Sequence, residues 1–170
     1  MKKAVIVING RGGVGKDTLC DMAAKSFKTL NVSSITPIKE IAKMCGWDGA
    51  KDDKSRKFLA DLKKLSVEYN DYPTVWAAEK YKEFLSSDKE LMFVHIREPE
   101  EIAKFVSSTD GAAITLLIRG GERMKRGAYG NAADDGVENY SYDYYFDNDV
   151  TLEEAEAGFI LLLNRILSEN

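Results

Sequence analysis

The hydrophobic pattern of this chain changes period along its length. Short continuous apolar runs alternate with stretches of helical spacing. Ala4-Val5-Ile6-Val7-Ile8 is continuous and lacks the alternation of a strand with one wet face. Such a run predicts a strand buried on both sides, as in a parallel sheet. A glycine-rich turn follows, and Asp17–Phe27 then reads as a helix with Leu19, Met22, Ala23 and Phe27 on one side. A short strand is expected at Val32–Ile35. Pro37 opens a short helix, Ile38–Met44, which Gly46 ends. Lys54–Tyr69 is helical in spacing, with Phe58, Leu62, Leu65 and Tyr69 at intervals of 4, 3 and 4. Pro73 starts another helix that runs to about Ser86 and carries Trp76, Ala77, Tyr81, Phe84 and Leu85.

Leu91–Ile96 is the next apolar strand, and Pro99 then stands where a first helical turn tolerates proline. Ile102, Phe105 and Val106 carry that helix. Ala112–Ile118 is a fourth buried strand, and Tyr144–Phe146 a short fifth one. Between them, residues 119–142 show no period and are rich in glycine, which predicts a long loop or lid. Thr151 and Glu154 form a capping box for the last helix, whose stripe is Leu152, Ala155, Phe159, Leu162, Leu163 and Ile166. Strands alternating with helices predict an α/β fold: a five-stranded, mainly parallel sheet with helices on both faces.

Composition adds little to this until it is divided along the chain. The 170 residues are 44% hydrophobic and 31% charged, ordinary for one folded domain. The net charge is −4. Residues 1–126 hold 23 Lys/Arg against 18 Asp/Glu, a surplus of five positive charges, whereas residues 127–170 hold one against ten. The acidic whole speaks against a general nucleic-acid binder, and the basic majority leaves room for a phosphate site. No apolar run approaches the roughly 20 residues of a membrane span. The run after Lys2 and Lys3 is too short for a signal peptide and leads into the glycine turn. Cys20 and Cys45 lack metal-ligand spacing and read as reduced, buried thiols of a cytoplasmic protein.

Chemistry concentrates in Gly10-Arg11-Gly12-Gly13-Val14-Gly15-Lys16-Asp17-Thr18, between the first strand and the first helix. It matches the phosphate-binding loop G-x-x-x-x-G-K. Glycines let backbone N–H groups turn inward around an anion. The helix N-terminus adds the positive end of its dipole, and Lys16 is placed to reach the terminal phosphates of ATP. Gly10, Gly12, Gly13, Val14, Gly15, Lys16, Asp17 and Thr18 are therefore the candidate ATP-binding residues. Asp17 fills the place where a hydroxyl usually binds Mg²⁺. Four readings stay open: Asp17 holds the metal through water, Thr18 holds it, Asp17 orients the acceptor, or Asp17 is simply an acid stabilised in a first helical turn.

The loop ending Gly-Lys-Asp-Thr resembles that of the phage-type deoxynucleoside monophosphate kinases, a branch of the P-loop nucleoside monophosphate kinases. The resemblance extends to Phe93-Val94-His95-Ile96-Arg97-Glu98-Pro99-Glu100-Glu101. There the family tends to carry Asp-Val-Arg, then a Pro and a Glu, and His95 stands in place of the Asp. It extends also to 142–149 with 151–154, where Asp143 and Asn148 recur five residues apart. It implies a five-stranded P-loop fold with an acceptor-binding helical region at about 37–90 and a lid at about 119–142. It implies transfer of the terminal phosphoryl of Mg-ATP to a nucleoside monophosphate.

Arginine suits such a site because its planar fork binds phosphate bidentately. Arg56 opens the helix expected to line the acceptor pocket, and the resemblance makes it a phosphate ligand. Arg97 leaves the carboxyl end of a core strand, where ligands collect in open α/β sheets. Arg119, Arg123 and Arg126 sit at the expected lid entry, to cover ATP, stabilise charge in transfer or touch the acceptor. Lys16, Asp17, Arg97 and Arg123 are thus the candidate catalytic residues, and Arg56, Arg97 and Arg126 the acceptor ligands. Arg119 and, by resemblance, Asn148 are placed on the nucleotide. Asp134, Asp135, Glu138, Trp47 and Asp48 are weaker candidates for the acceptor's base or sugar. Two alternatives remain: a kinase of another phosphorylated metabolite, and a nucleotide-binding P-loop protein without transfer. A homodimer is left open.

Overall fold

The computed structural model describes residues 2–121 and 136–170. The chain begins with β1 (Ala4–Asn9), α1 (Lys16–Ala24) and β2 (Thr29–Ser33). Three helices follow, α2 (Thr36–Met44), α3 (Asp53–Asn70) and α4 (Tyr72–Ser86). Then come β3 (Leu91–His95), α5 (Pro99–Ser108) and β4 (Ala113–Gly120). A 3₁₀ turn, Val137–Asn139, leads to β5 (Tyr144–Asn148) and α6 (Leu152–Glu169). Local signals set several boundaries. Asp52 caps α3 by accepting from Ser55 N–H at 2.7 Å. Thr151 and Glu154 make the expected reciprocal box at the start of α6.

The five strands form one sheet in the order β2-β3-β1-β4-β5, every pair parallel. β1 is central, with Val7 beside Val94 of β3 and Thr115 of β4. Its side chains alternate between two cores, which is why its sequence is apolar throughout. Ala4, Ile6 and Ile8 pack with Leu19 and Ala23 of α1 and Phe159, Leu163 and Ile166 of α6. Val5 and Val7 pack with Phe84 of α4 and Ile102 and Phe105 of α5.

Three differences from the sequence pattern have physical reasons. β2 begins at Thr29 rather than Val32 and ends at Ser33. It is an edge strand, half-buried along most of its length, so its apolar signal is weak. On α3 the expected stripe is turned outward: Phe58, Leu65 and Tyr69 are exposed, and the inner face carries Ser55, Leu59, Leu62, Lys63 and Ser66. Leu59 and Lys63 of that face border the polar cleft described below, so the face mixes apolar and polar side chains where a core helix would be apolar throughout. Third, β4 runs through Arg119 and Gly120, and Val137 and Tyr142 are buried in the second core. Both ends of the stretch read as loop from 119 to 142 therefore belong to the packed body. Leu152 is likewise exposed rather than part of the α6 stripe, and Cys45 is an exposed thiol.

Phe159 is fully buried, its ring 6.3 Å from that of Phe93 and 5.3 Å from that of Phe146. Phe159→Ala should cost about 3–5 kcal/mol in urea unfolding. Leu161→Ala, at an exposed position of the same helix, should stay within about 0.5 kcal/mol of the parent.

Candidate functional site

The site starts where β1 stops. Gly10 has φ 153°, and a Cβ there would lie 2.6 Å from the Ile118 carbonyl and 2.8 Å from a Val14 methyl. Only glycine lets the chain leave the sheet between those neighbours. Gly15, at φ 89°, is the N-cap of α1, and a Cβ on it would meet the Asn148 amide at 2.7 Å. Lys16 Nζ donates to the carbonyls of Gly10 (2.5 Å) and Arg11 (3.1 Å). Asn148 Nδ2 donates to the Val14 carbonyl at 2.8 Å. The loop is thus held from inside by its own lysine and from behind by the end of β5. Asp17 and Thr18 open α1, both exposed.

A cleft of about 1020 Å³ begins at this loop. It runs between the ends of β2 and β3 on one side and α3 on the other, and Gly12, Gly13, Gly15, Lys16, Asp17 and Thr18 form its head. Arg56 and Arg97, from separate elements, line it together. Arg56 is 70% exposed, with Asp53 3.5 Å away. Lys39, Lys63, Glu98, Asn31 and the Ser33-Ser34-Ile35-Thr36 turn complete much of the wall. The sequence pattern singled out none of these. Their common signal is position: apart from Asn31, within β2, each ends a strand, follows its carboxyl end or faces it from a helix.

Lys63 and Glu98 belong to an ion cluster. Lys63 Nζ lies 3.0 Å from Glu98 Oε2 and 3.0 Å from Glu101 Oε2. The Glu101 contact is an ion pair by distance rather than an aligned hydrogen bond. Burial, against the pull of Lys63, pushes the Glu101 carboxyl above the ordinary value. Burial acts on Glu98 in the same direction, but Lys63 beside it prevails and holds it below. The cluster ties α3, the helix of Arg56, to the turn that carries Arg97.

On the far side of the loop, Arg119 is fixed bidentately by Asp147 at 2.7 and 3.0 Å, with its guanidinium 5.0 Å from the centre of the Tyr145 ring. It leaves a strand rather than a lid and does not line the cleft. Gly121 packs so closely against Asp149 that a Cβ there would fall 1.8 Å from the carboxyl carbon. Arg123, Arg126, Asp134 and Asp135 lie outside the described residues. Glu138 faces Arg11 at 3.6 Å. Trp47 donates to the Ala50 carbonyl, and Asp48 accepts from Ala50 N–H. Both build a turn away from the cleft.

His95 enters the cleft half-buried at the end of β3. Its Nε2 is 2.8 Å from Asn31 Oδ1, to which it donates, and 3.9 Å from Cys20 Sγ. Burial lowers its pKa below the ordinary 6.5; Asp17 opposes this, and Lys16 and Arg97 assist it. Burial also pushes the Cys20 thiol up to about 12, with Asp17 and Asp21 adding to the effect. Cys20 is therefore a buried, protonated thiol behind the cleft wall rather than part of its lining. Among the described residues no group of three His, Cys, Asp or Glu is placed to hold a metal, and no helix is long and apolar enough to cross a membrane.

No family model matches the chain, and no curated protein sequence matches it. Solved structures match over nearly its whole length. A sugar kinase from Janibacter sp. HTCC2649 has TM-score 0.58 at 14% identity, over 96% of this chain and 95% of that one. A gluconokinase from Sinorhizobium meliloti 1021 has TM-score 0.51 at 16% identity, over 99% and 98%. Shikimate kinase from Aquifex aeolicus VF5 has TM-score 0.51 at 9% identity, over 94% and 96%. The fold is that of the P-loop kinase structures. The 2-3-1-4-5 order is the scaffold on which the loop and the cleft sit, with helices flanking both faces.

The lowered pKa of His95 has a consequence for stability. The unfolded chain takes up the histidine proton first, near pH 6.5, so His95 favours folding above that value. That contribution is lost as the pH falls from 6.5 towards the lower folded-state pKa. Urea unfolding at about pH 7.5 and about pH 5.5 should show the parent losing more stability on acidification than His95→Gln. Equal losses would mean that the imidazole is not desolvated in the folded protein.

Proposed function

We propose that the chain is an ATP-dependent phosphotransferase acting on a small phosphorylated acceptor. The observation that carries this reading is the placing of Arg56 and Arg97, from α3 and the end of β3, in one cleft with the phosphate-binding loop and Lys16. A protein that only bound a nucleotide would have no use for two arginines beyond the loop. The three kinases with this fold are named for a sugar, gluconate and shikimate. A nucleoside monophosphate is the acceptor suggested by the Gly-Lys-Asp-Thr loop. One observation favours the second reading, a phosphorylated metabolite without a base. Among the described residues the cleft is lined by aliphatic and polar side chains and by no Phe, Tyr or Trp ring on which a base would stack; its one aromatic side chain is the His95 imidazole, which is bonded to Asn31.

In this mechanism the backbone of Gly12–Gly15 and the start of α1 bind the phosphates of ATP. Lys16 leaves the loop carbonyls to bind the terminal phosphate, and the glycine turns keep the loop's shape as it does so. Arg97 and Arg56 bind the acceptor's phosphate and aim its attacking oxygen at the terminal phosphorus. That oxygen bonds to phosphorus as the bond to the bridging oxygen of ADP breaks, and the basic groups balance the charge in flight. Arg123 and Arg126 are proposed to cover the nucleotide and acceptor from the segment between β4 and β5.

Asp17 and Thr18 offer exposed oxygens at the head of the cleft. That donor set fits Mg²⁺, which keeps several waters and takes one or two protein oxygens beside phosphate. When bound, the ion would neutralise phosphate charge. Asn148, by holding the Val14 carbonyl, supports the loop from behind. We place the reaction in the cytoplasm, where ATP is at hand and the exposed Cys45 stays reduced.

A panel of nucleoside and sugar monophosphates with Mg-ATP, followed by ADP release, tests the reading. ADP formation with at least one acceptor is expected, and none at all despite ATP binding would overturn it. Lys16→Ala should lower kcat by roughly 100-fold or more with the fold intact. Arg97→Ala should raise the acceptor KM by about 10–100-fold and leave the ATP KM nearly unchanged. An equal loss for both substrates would remove Arg97 from the acceptor site.

A further inference from the structure

One buried side chain near the site has no part in the scheme above. Asn9, the last residue of β1, is 0% exposed. Its Oδ1 accepts from Gly10 N–H at 2.8 Å, and its Nδ2 donates to the Arg97 carbonyl at 3.0 Å and to Tyr142 Oη at 2.8 Å. Tyr142, also buried, donates in turn from Oη to the Val137 carbonyl at 2.7 Å. Each of these bonds has one allowed direction. Gly10 N–H can only donate and the Arg97 carbonyl can only accept, so the amide cannot be reversed. Nδ2 must then give its second proton to the tyrosine, and the tyrosine must pass its own to Val137. Three backbone groups from three segments, the start of the phosphate loop, the second residue past β3 and the turn before β5, are thereby held by two side chains.

We infer that Asn9 and Tyr142 act as one positioning unit that sets the phosphate-binding loop and the backbone of Arg97 in fixed register. The inference rests on the phosphotransferase reading only for the purpose of that register; the hydrogen bonds stand without it. A hydrophobic residue at position 9 would suit a strand end equally well by pattern. An amide there satisfies the buried Gly10 N–H and the part-buried Arg97 carbonyl, which a hydrophobic side chain would leave without this partner. Tyr142 reaches further. Its backbone N–H donates to Tyr145 Oη at 3.1 Å, and its ring meets the Tyr145 ring at 5.9 Å, beneath Arg119.

Calorimetric titration of the full chain with Mg-ATP tests this without knowledge of the acceptor. Asn9→Leu keeps the branched shape, with bulkier methyl groups, and removes every side-chain bond. It should weaken Mg-ATP at least tenfold in Kd, and Tyr142→Phe, which loses only the hydroxyl, about threefold or more. If the two act as a unit, the double variant should bind no more weakly than Asn9→Leu alone. A purely structural role would instead lower the fraction of chains able to bind and leave Kd where it was. Unchanged Kd in both single variants, or losses that multiply in the double variant, would overturn the proposal. Should Asn9→Leu fail to fold, Tyr142→Phe decides alone, and a Kd within twofold of the parent would sink the idea. Normal Mg-ATP binding by the parent with no acceptor turned over would remove the kinase reading and leave this test intact. Turnover of an acceptor with unaltered Kd and acceptor KM in the variants would remove the positioning unit alone.

Discussion

A parallel sheet puts the carboxyl ends of all its strands along one edge, and the strand paired on both sides puts its own end at the middle of that edge. In this chain that strand is β1, held between β3 and β4. Everything chemical follows from what happens at residue 9 and just beyond. The chain must leave the sheet without a side chain at Gly10, because the Ile118 carbonyl already occupies the space a Cβ would need. It must then turn and start a helix at Gly15. That sequence of demands leaves few residue types for Gly10 and Gly15, and it explains why the turn is legible in the sequence.

Much of the fold was legible for the same kind of reason. Runs such as Ala4–Ile8 and Leu91–Val94 bury both faces and so cannot alternate, and the capping box at Thr151 needs only residues near in sequence. Failures came where a side chain's neighbour is not a core. The 58, 62, 65, 69 spacing is sound helix periodicity, yet Phe58, Leu65 and Tyr69 face outward while Leu59 and Lys63 turn inward over a largely polar cleft. Period reveals a helix and its stripe; it cannot say whether the stripe meets protein or water. β2 was misplaced because an edge strand has one neighbour and a weaker hydrophobic demand.

The site divides along a similar line. Residues whose signal is local, the loop and Lys16, are singled out by spacing, and Arg97 by its place just past the end of a strand; the structure sets them along one cleft. Lys63, Glu98, Asn31 and Asn9 were not found, because each acquires a role only through a partner far away in sequence: Glu98 for Lys63, His95 for Asn31, Arg97 and Tyr142 for Asn9. Polar residues in an apolar context carry that information in a weak form. Asn9 ends a run of five apolar residues and is the one residue of β1 with a polar side chain. A side chain that costs free energy to bury is retained where it satisfies neighbours that would cost more unpaired.

Charge follows the same geometry. The positive surplus of residues 1–126 is not spread evenly over a surface. Lys16, Lys39, Arg56, Lys63 and Arg97 reach one cleft, against Asp17 and Glu98. Five cations in one cleft repel one another, and the protein offsets this in two ways. Lys63 is matched by Glu98 and Glu101, and Lys16 is folded onto loop carbonyls. Arg56 stays largely in water beside Asp53, with Asp53 wholly exposed. An arginine held that loosely keeps its hydration. The cleft therefore carries its positive charge at modest cost, and the ion cluster on α3 is as much a part of that balance as the exposed arginine.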